Sequence, residues 1–128
     1  VLGLAATAAA ATAAGAVLFA VDPNEPGHYP TCPFLALTGA WCPGCGSLRA
    51  LHDLVHLDLA GAAARNPLAL VGVVLLALAW VCWALRTAGR NAPHPVQVPA
   101  PWIWAFLAAV VAFGVLRNVP GWTWLSPA

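Results

Sequence analysis

Residues 32–67 read CPFLALTGAWCPGCGSLRALHDLVHLDLAGAAARNP, and the fold turns on how this stretch sits between its neighbours. Three of the four cysteines, Cys32, Cys42 and Cys45, fall in its first 14 residues, and two of the four histidines, His52 and His56, follow. On either side the chain is almost unbroken apolar sequence. Residues 1–21 hold no charge and no proline, and residues 67–85 hold no charge. A polar, cysteine-bearing insert between two such runs predicts a loop between two membrane helices.

The flanks support that prediction by length. At ~1.5 Å per residue a 21-residue helix spans roughly 32 Å, close to the ~30 Å hydrocarbon core of a bilayer. A cleaved signal peptide is the competing reading of residues 1–21. The run lacks a basic leading segment and exceeds the usual apolar length, so a retained helix is the expectation. Ala6, Ala10 and Ala14 recur every fourth residue, a spacing at which another helix can approach closely. Asp22 to Pro30, with three prolines and two acids, is a water-exposed loop. Asn66-Pro67 opens the second span: Asn is a good N-cap, and Pro suits the first helical position. Arg86 and Arg90 close it. Residues 86–101 form a loop with four prolines, and residues 102–119 make a third span with tryptophan pairs at its ends (Trp102 and Trp104, Trp122 and Trp124). Residues 120–128 are a tail.

The sequence therefore predicts an all-α integral membrane protein. It has three transmembrane helices (1–21, 67–85, 102–119) and a Cys-rich loop with short amphipathic helices over 22–66. Composition agrees. Of 128 residues, 62% are hydrophobic and 7% charged, with a mean hydropathy of +0.82, against about 25% charged in soluble domains. All five positive charges are arginines, and the net charge of +1 argues against nucleic acid as a partner. The expected partner is the lipid bilayer, with a second membrane protein or another copy of the chain beside it. Arg86 and Arg90 near a span end favour the cytoplasmic side for residues 86–101 and the outer side for the cysteines.

The chemistry lies in the insert. Cys42-Pro43-Gly44-Cys45-Gly46 is a tight C-P-x-C-G turn of the kind that lets two thiolates face one metal ion. Zinc takes four ligands, at about 2.3 Å from sulfur and about 2.0 Å from a histidine nitrogen. Cys32 can be the third, and His52 or His56, spaced i, i+4 on one helix face, the fourth. The same C-x-x-C spacing permits a redox pair at a helix start, and on an oxidising face Cys32 could bridge to Cys42 or Cys45 as a staple. All three readings stay open. The helix after the turn carries Leu48, Leu51 and Val55 on one face and Arg49, His52, Asp53 and His56 on the other. Ser47 is its expected N-cap, and Arg49 and Asp53 are spaced to pair. No Glu follows His52, so the H-E-x-x-H protease signature is absent. Asp58 is placed to cap a second short helix, Leu59 to Arg65. Cys82, inside the second span, is a packing residue.

Cys32-Pro33-Phe34, Thr38-Gly39, Cys42-Pro43-Gly44-Cys45-Gly46, Arg49-Ala50, His52 and Asn66-Pro67-Leu68 together resemble the domain-of-unknown-function family 2752, small bacterial membrane proteins. The resemblance covers roughly residues 30–85. It implies that the cysteines, Arg49 and the Asn66-Pro67 entry form one unit, in a multi-pass protein of the bacterial cytoplasmic membrane. Two positions depart from the family pattern. Ser47-Leu48 stands where Leu-Thr is common, and Leu57 precedes Asp58 where glycine is common, which predicts a less sharp turn there. No catalytic constellation is complete, so the expected role is non-enzymatic: a structural or metal-binding (Zn2+) Cys/His loop serving interaction in a membrane complex. The alternatives are a thiol-disulfide oxidoreductase using Cys42 and Cys45 and, more remotely, a transporter or channel subunit with Arg49 as an intramembrane charge.

Overall fold

A computed structural model describes residues 2–94 and 97–126. Val1, Pro95, Val96, Pro127 and Ala128 lie outside the described residues, and with them fall the first residue of the expected span 1–21, the middle of the proline-rich loop and the end of the tail. Six helices follow in order: α1 Leu2–Ala20, α2 Pro33–Thr38, α3 Ser47–Val55, α4 Leu59–Arg65, α5 Pro67–Thr87 and α6 Ala100–Leu116. A 3₁₀ turn, Thr123–Leu125, comes last, and there is no strand among the described residues.

Two helices, α1 with 19 residues and α5 with 21, are long and apolar enough to cross a membrane. The expectation of a third is corrected. Helix α6 has 17 residues, about 25 Å at the standard rise. It stops at Leu116 rather than reaching 119, because Arg117 and Asn118 leave the helix to bind the cysteine loop.

Local rules explain the helix boundaries. Asn66 caps α5, its Oδ1 accepting from Ala69 N at 3.2 Å, and Pro67 takes the first turn. Asp58 caps α4 by accepting from Gly61 N at 2.8 Å. Helix α3 begins one residue off the expected cap. Gly46, at φ 81°, holds the N-cap position and Ser47 is already helical. A left-handed backbone there suits glycine and would cost serine about 1 kcal/mol or more.

The end of α3 corrects a second expectation. Asp58 N donates to Asp53 O at 2.9 Å and Leu57 N to Leu54 O at 3.0 Å, the paired bonds of a Schellman ending. The left-handed residue is Leu57, at φ 65°. The turn is as sharp as a glycine turn; the leucine is simply strained into it. Helix α5 ends on the same two bonds, but with Gly89 in the left-handed place. Leu57 is exposed and contributes little packing. Relieving its strain is worth about 1–2 kcal/mol, less about 0.4–1 kcal/mol for the looser unfolded chain of a glycine variant. Leu57→Gly is therefore expected to raise the thermal midpoint in detergent by about 4 °C. A midpoint at or below wild type would show that Leu57 has stabilising contacts of its own.

The long helices run antiparallel in sequence order. Trp80 Nε1 donates to Thr7 Oγ1 at 3.0 Å, and the Trp83 ring lies against Gly3, tying the start of α1 to the end of α5. At the opposite end, Leu18 O meets His52 of α3, and α5 begins at Asn66 beneath the cysteine turn. Helix α6 arrives at this same end, where Gly114 lets Pro43 approach so closely that a Cβ would stand 3.2 Å from its ring. Residues 22–66 thus form a cap over one end of three apolar helices.

The buried interior lies in the cap and where the residues after α6 meet it. Among the described residues, Cys45, Ala50, Ala62, Asn66, Arg117 and Leu125 are buried, and none of α1, α5 or α6 has a buried residue. Ala50 of α3 and Ala62 of α4 are enclosed completely, small enough for the two short helices to pack backbone to backbone. Asp53 pairs with Arg65 of α4, Nε to Oδ2 at 3.6 Å, and not with Arg49 as its spacing suggested.

Candidate functional site: a three-cysteine cluster beneath the cap

The cap draws Cys32, Cys42 and Cys45 together. Their sulfurs lie within 4.8 Å of one another, and this is the group of metal-ligating side chains among the described residues. Cys42 Sγ is 2.9 Å from Cys45 Sγ and 3.5 Å from Cys32 Sγ, and all are free thiols. A disulfide requires about 2.05 Å. Three sulfurs around a tetrahedral zinc at about 2.3 Å would stand roughly 3.8 Å apart, so small shifts would fit this cluster to one ion.

Each cysteine is placed by its element. Cys32 is the residue before α2, where the free backbone N–H groups of a helix start gather. The backbone N–H groups there, Leu35 first, and the Cys42 thiol beside it lower the Cys32 thiol to about 7. Cys42 and Cys45 flank the Pro43-Gly44 turn, with Cys42 N donating to Cys45 Sγ at 3.3 Å. Cys45 is 6% exposed. Burial, then the neighbouring Cys42 sulfur, pushes its thiol up to about 12. One thiol of the cluster is therefore poised to ionise near neutral pH, and another is held protonated until something compensates its charge.

Three residues hold this turn and the residue before it: Arg117 and Asn118, which the motif reading left out of the site, and Asn66, which it read as a cap. Arg117 is 2% exposed. Its Nη1 donates to the carbonyls of Cys42 (2.9 Å), Pro43 (3.3 Å) and Cys45 (3.0 Å), and its Nε to Leu125 O (3.2 Å). The guanidinium lies over the Phe113 ring at 4.8 Å, and Nη2 is buried without a partner. Burial pulls the Arg117 pKa below its ordinary value, and the Cys45 and Cys42 sulfurs oppose that by favouring the cation. Asn118 pairs in both directions with the backbone of Trp41, accepting from its N at 2.7 Å and donating to its O at 2.8 Å. Asn66, 1% exposed, donates from Nδ2 to Pro43 O (3.0 Å), Cys45 O (3.2 Å) and Ser47 Oγ (3.0 Å). The one sequence signal for Arg117 is a lone charge ending a charge-free apolar run.

The histidines stand apart from the sulfurs. His52 Nδ1 contacts Leu18 O at 2.6 Å, and its Nε2 is 3.9 Å from Asp22. His56 Nδ1 contacts His52 O at 2.8 Å, and its ring stacks on Phe19 with centroids 4.3 Å apart. Both tie α3 to the end of α1. Arg49 and Glu25 line a cavity of about 460 Å³ that also touches Cys32 and Cys45. Gly44 and Gly46 provide the tight turn, and Pro67 the start of α5.

The model of the family described as a protein of unknown function (DUF2752) matches residues 32–80, the family that the cysteine motif resembles. The matched segment contains the three cysteines, His52, His56 and Asn66, and ends before Arg117. No curated protein and no solved structure matches the chain.

Proposed function

We propose that the DUF2752 segment of this chain is a thiolate metal site, carried as a cap on apolar helices in the bacterial cytoplasmic membrane, with a non-enzymatic role in a membrane complex. The observation that carries the metal reading is three sulfurs within 4.8 Å of one another, backed by a buried arginine with no carboxylate partner among the described residues. Soft thiolates favour zinc among the common divalent ions. Three thiolates on Zn2+ leave one net negative charge, which the Arg117 guanidinium would offset. The membrane reading rests on α1 and α5, apolar along their length and with none of their residues buried. The core helix of a soluble protein would be covered; these need lipid or a partner. Helix α6 returns the chain to the cap, and the arginines after α5 favour the outer face for the cysteines.

Purified full-length protein, prepared with reductant and zinc, is expected to hold about one zinc per chain. Cys42→Ser and Cys45→Ser should lose it, while His52→Ala and His56→Ala should keep it. Zinc absent from wild type, or retained in Cys45→Ser, would end this reading. The affinity should also rise with pH. A metal displaces thiol protons. Cys45, held up to about 12, enters as a thiol throughout the neutral range and releases one proton. Cys32, at about 7, adds a further proton only below that pH. A plot of log affinity against pH should therefore steepen by about one unit below pH 7. Titration calorimetry in buffers of different ionisation enthalpy measures that proton count.

A second reading is favoured by the 2.9 Å between Cys42 and Cys45 sulfurs. These two thiols could yield two electrons and two protons to an oxidant and close a disulfide. Thiol trapping under oxidising and reducing conditions tests it, and a pair whose state never changes removes it.

A further inference from the structure

The cluster supplies three ligands where zinc takes four. The two nearby histidines are engaged elsewhere: His52 with Leu18 O and Asp22, His56 with His52 O and the Phe19 ring. Three protein ligands and one open position is the arrangement of zinc sites that accept an outside ligand, in contrast to closed structural sites.

What adjoins the open side is a cavity of about 460 Å³, walled in part by Cys32 and Cys45. That volume is in the range of small-molecule sites. Two of its lining residues carry donors without a partner among the described residues, one of them covered and one partly open. Tyr29 Oη is buried and has no hydrogen-bond partner. Arg49, half-buried, makes no ion pair among the described residues. The acid in the lining, Glu25, lies 3.4 Å from His28. A buried hydroxyl without a partner costs free energy, and an unpaired guanidinium beside it favours an anion.

Resting on the metal reading above, we propose that this cavity admits a small carboxylate ligand. One carboxylate oxygen takes the fourth position on the metal, while the Arg49 guanidinium holds the remainder of the ligand and Tyr29 Oη reaches it by a side-chain turn out of its covered position. The exchange would be a ligand substitution: a metal–water bond breaks as the metal–carboxylate bond forms, with no change of oxidation state. The site would then bind reversibly, in contrast to a closed zinc knuckle.

The test uses the full chain in detergent with Co2+ in place of zinc, and sodium acetate as the probe. Thiolate-to-cobalt charge-transfer absorption reports that the three sulfurs are bound. The visible ligand-field bands report the fourth ligand. Acetate is expected to shift the ligand-field bands saturably in wild type. Tyr29→Phe and Arg49→Gln should each weaken acetate binding about tenfold while leaving the charge-transfer band and cobalt stoichiometry unchanged. That unchanged band also shows that the variants are folded. Cobalt bound with full charge-transfer intensity but bands indifferent to acetate would overturn the open position and leave the metal reading standing. Acetate binding equal in all three proteins would overturn the roles of Tyr29 and Arg49. Absence of any thiolate charge transfer would overturn the metal reading, and this proposal with it.

Discussion

Arg117→Ala is expected to lower the stability of the cap by about 3 kcal/mol. The side chain is 2% exposed and donates to four backbone carbonyls, three of them in the cysteine turn. A hydrogen bond to a charged group is worth about 1.5–3 kcal/mol, and stranding a buried acceptor carries the desolvation cost as well. The four losses do not add. Asn66 still donates to the Pro43 and Cys45 carbonyls, and Cys45 N to the Cys42 carbonyl at 3.1 Å, so the stranded acceptor is chiefly Leu125 O. Relief comes from one quarter only: the variant no longer buries a guanidinium with an unpaired Nη2. Arg117→Lys should recover only part of the loss, because an ammonium cannot reproduce the planar fork that reaches the turn and Leu125 together. Thermal unfolding in detergent, followed by tryptophan fluorescence, measures this. A wild-type midpoint for Arg117→Ala would mean that the turn holds its own shape.

Asn66→Ala should cost about 3 kcal/mol, for two reasons that a second variant separates. The side chain caps α5 through Oδ1, an interaction worth about 1 kcal/mol. It also donates through Nδ2 to Pro43 O, Cys45 O and Ser47 Oγ, from a site 1% exposed. Asn66→Ser keeps the cap and loses the donors, so it should recover about 1 kcal/mol and no more. Asn66→Asp keeps the capping oxygen but turns a second oxygen on two carbonyls, and should be no better than alanine. If serine restored wild-type stability, the bonds to the turn would be of no consequence and Asn66 would be only a cap.

The two substitutions show which parts of the molecule were legible in sequence. Asn66-Pro67 was readable because capping is local: the residue types needed lie within three positions of one another. The cysteines were readable for the same reason, since Cys42 and Cys45 belong to one turn. The apolar runs of α1 and α5 had no competing pattern. What failed was non-local. The extent of α6 depended on Arg117 reaching a turn over 70 residues earlier in the chain, and nothing in the run 102–119 announces that. The histidines looked like metal ligands because i, i+4 spacing is shared by ligands and by a packed helix face. Only the position of the α1 end, which presents Leu18 O and Phe19, decides between them. Leu57 was misjudged because residue type was taken to set the turn. The turn is set by the bonds closing α3, and the residue pays the strain.

The bond from Arg117 to Cys45 joins residues 72 apart, and that separation has a temporal meaning. A ribosome adding about 5–20 residues per second delivers the cysteines roughly 4–14 seconds before the arginine that clamps their turn. Throughout that interval the thiols are on a nascent chain whose cap has no keystone. The final shape of the cluster therefore waits on the last helix. A chain terminated after Leu116 would carry every cysteine of the motif and hold their turn by Asn66 without the arginine.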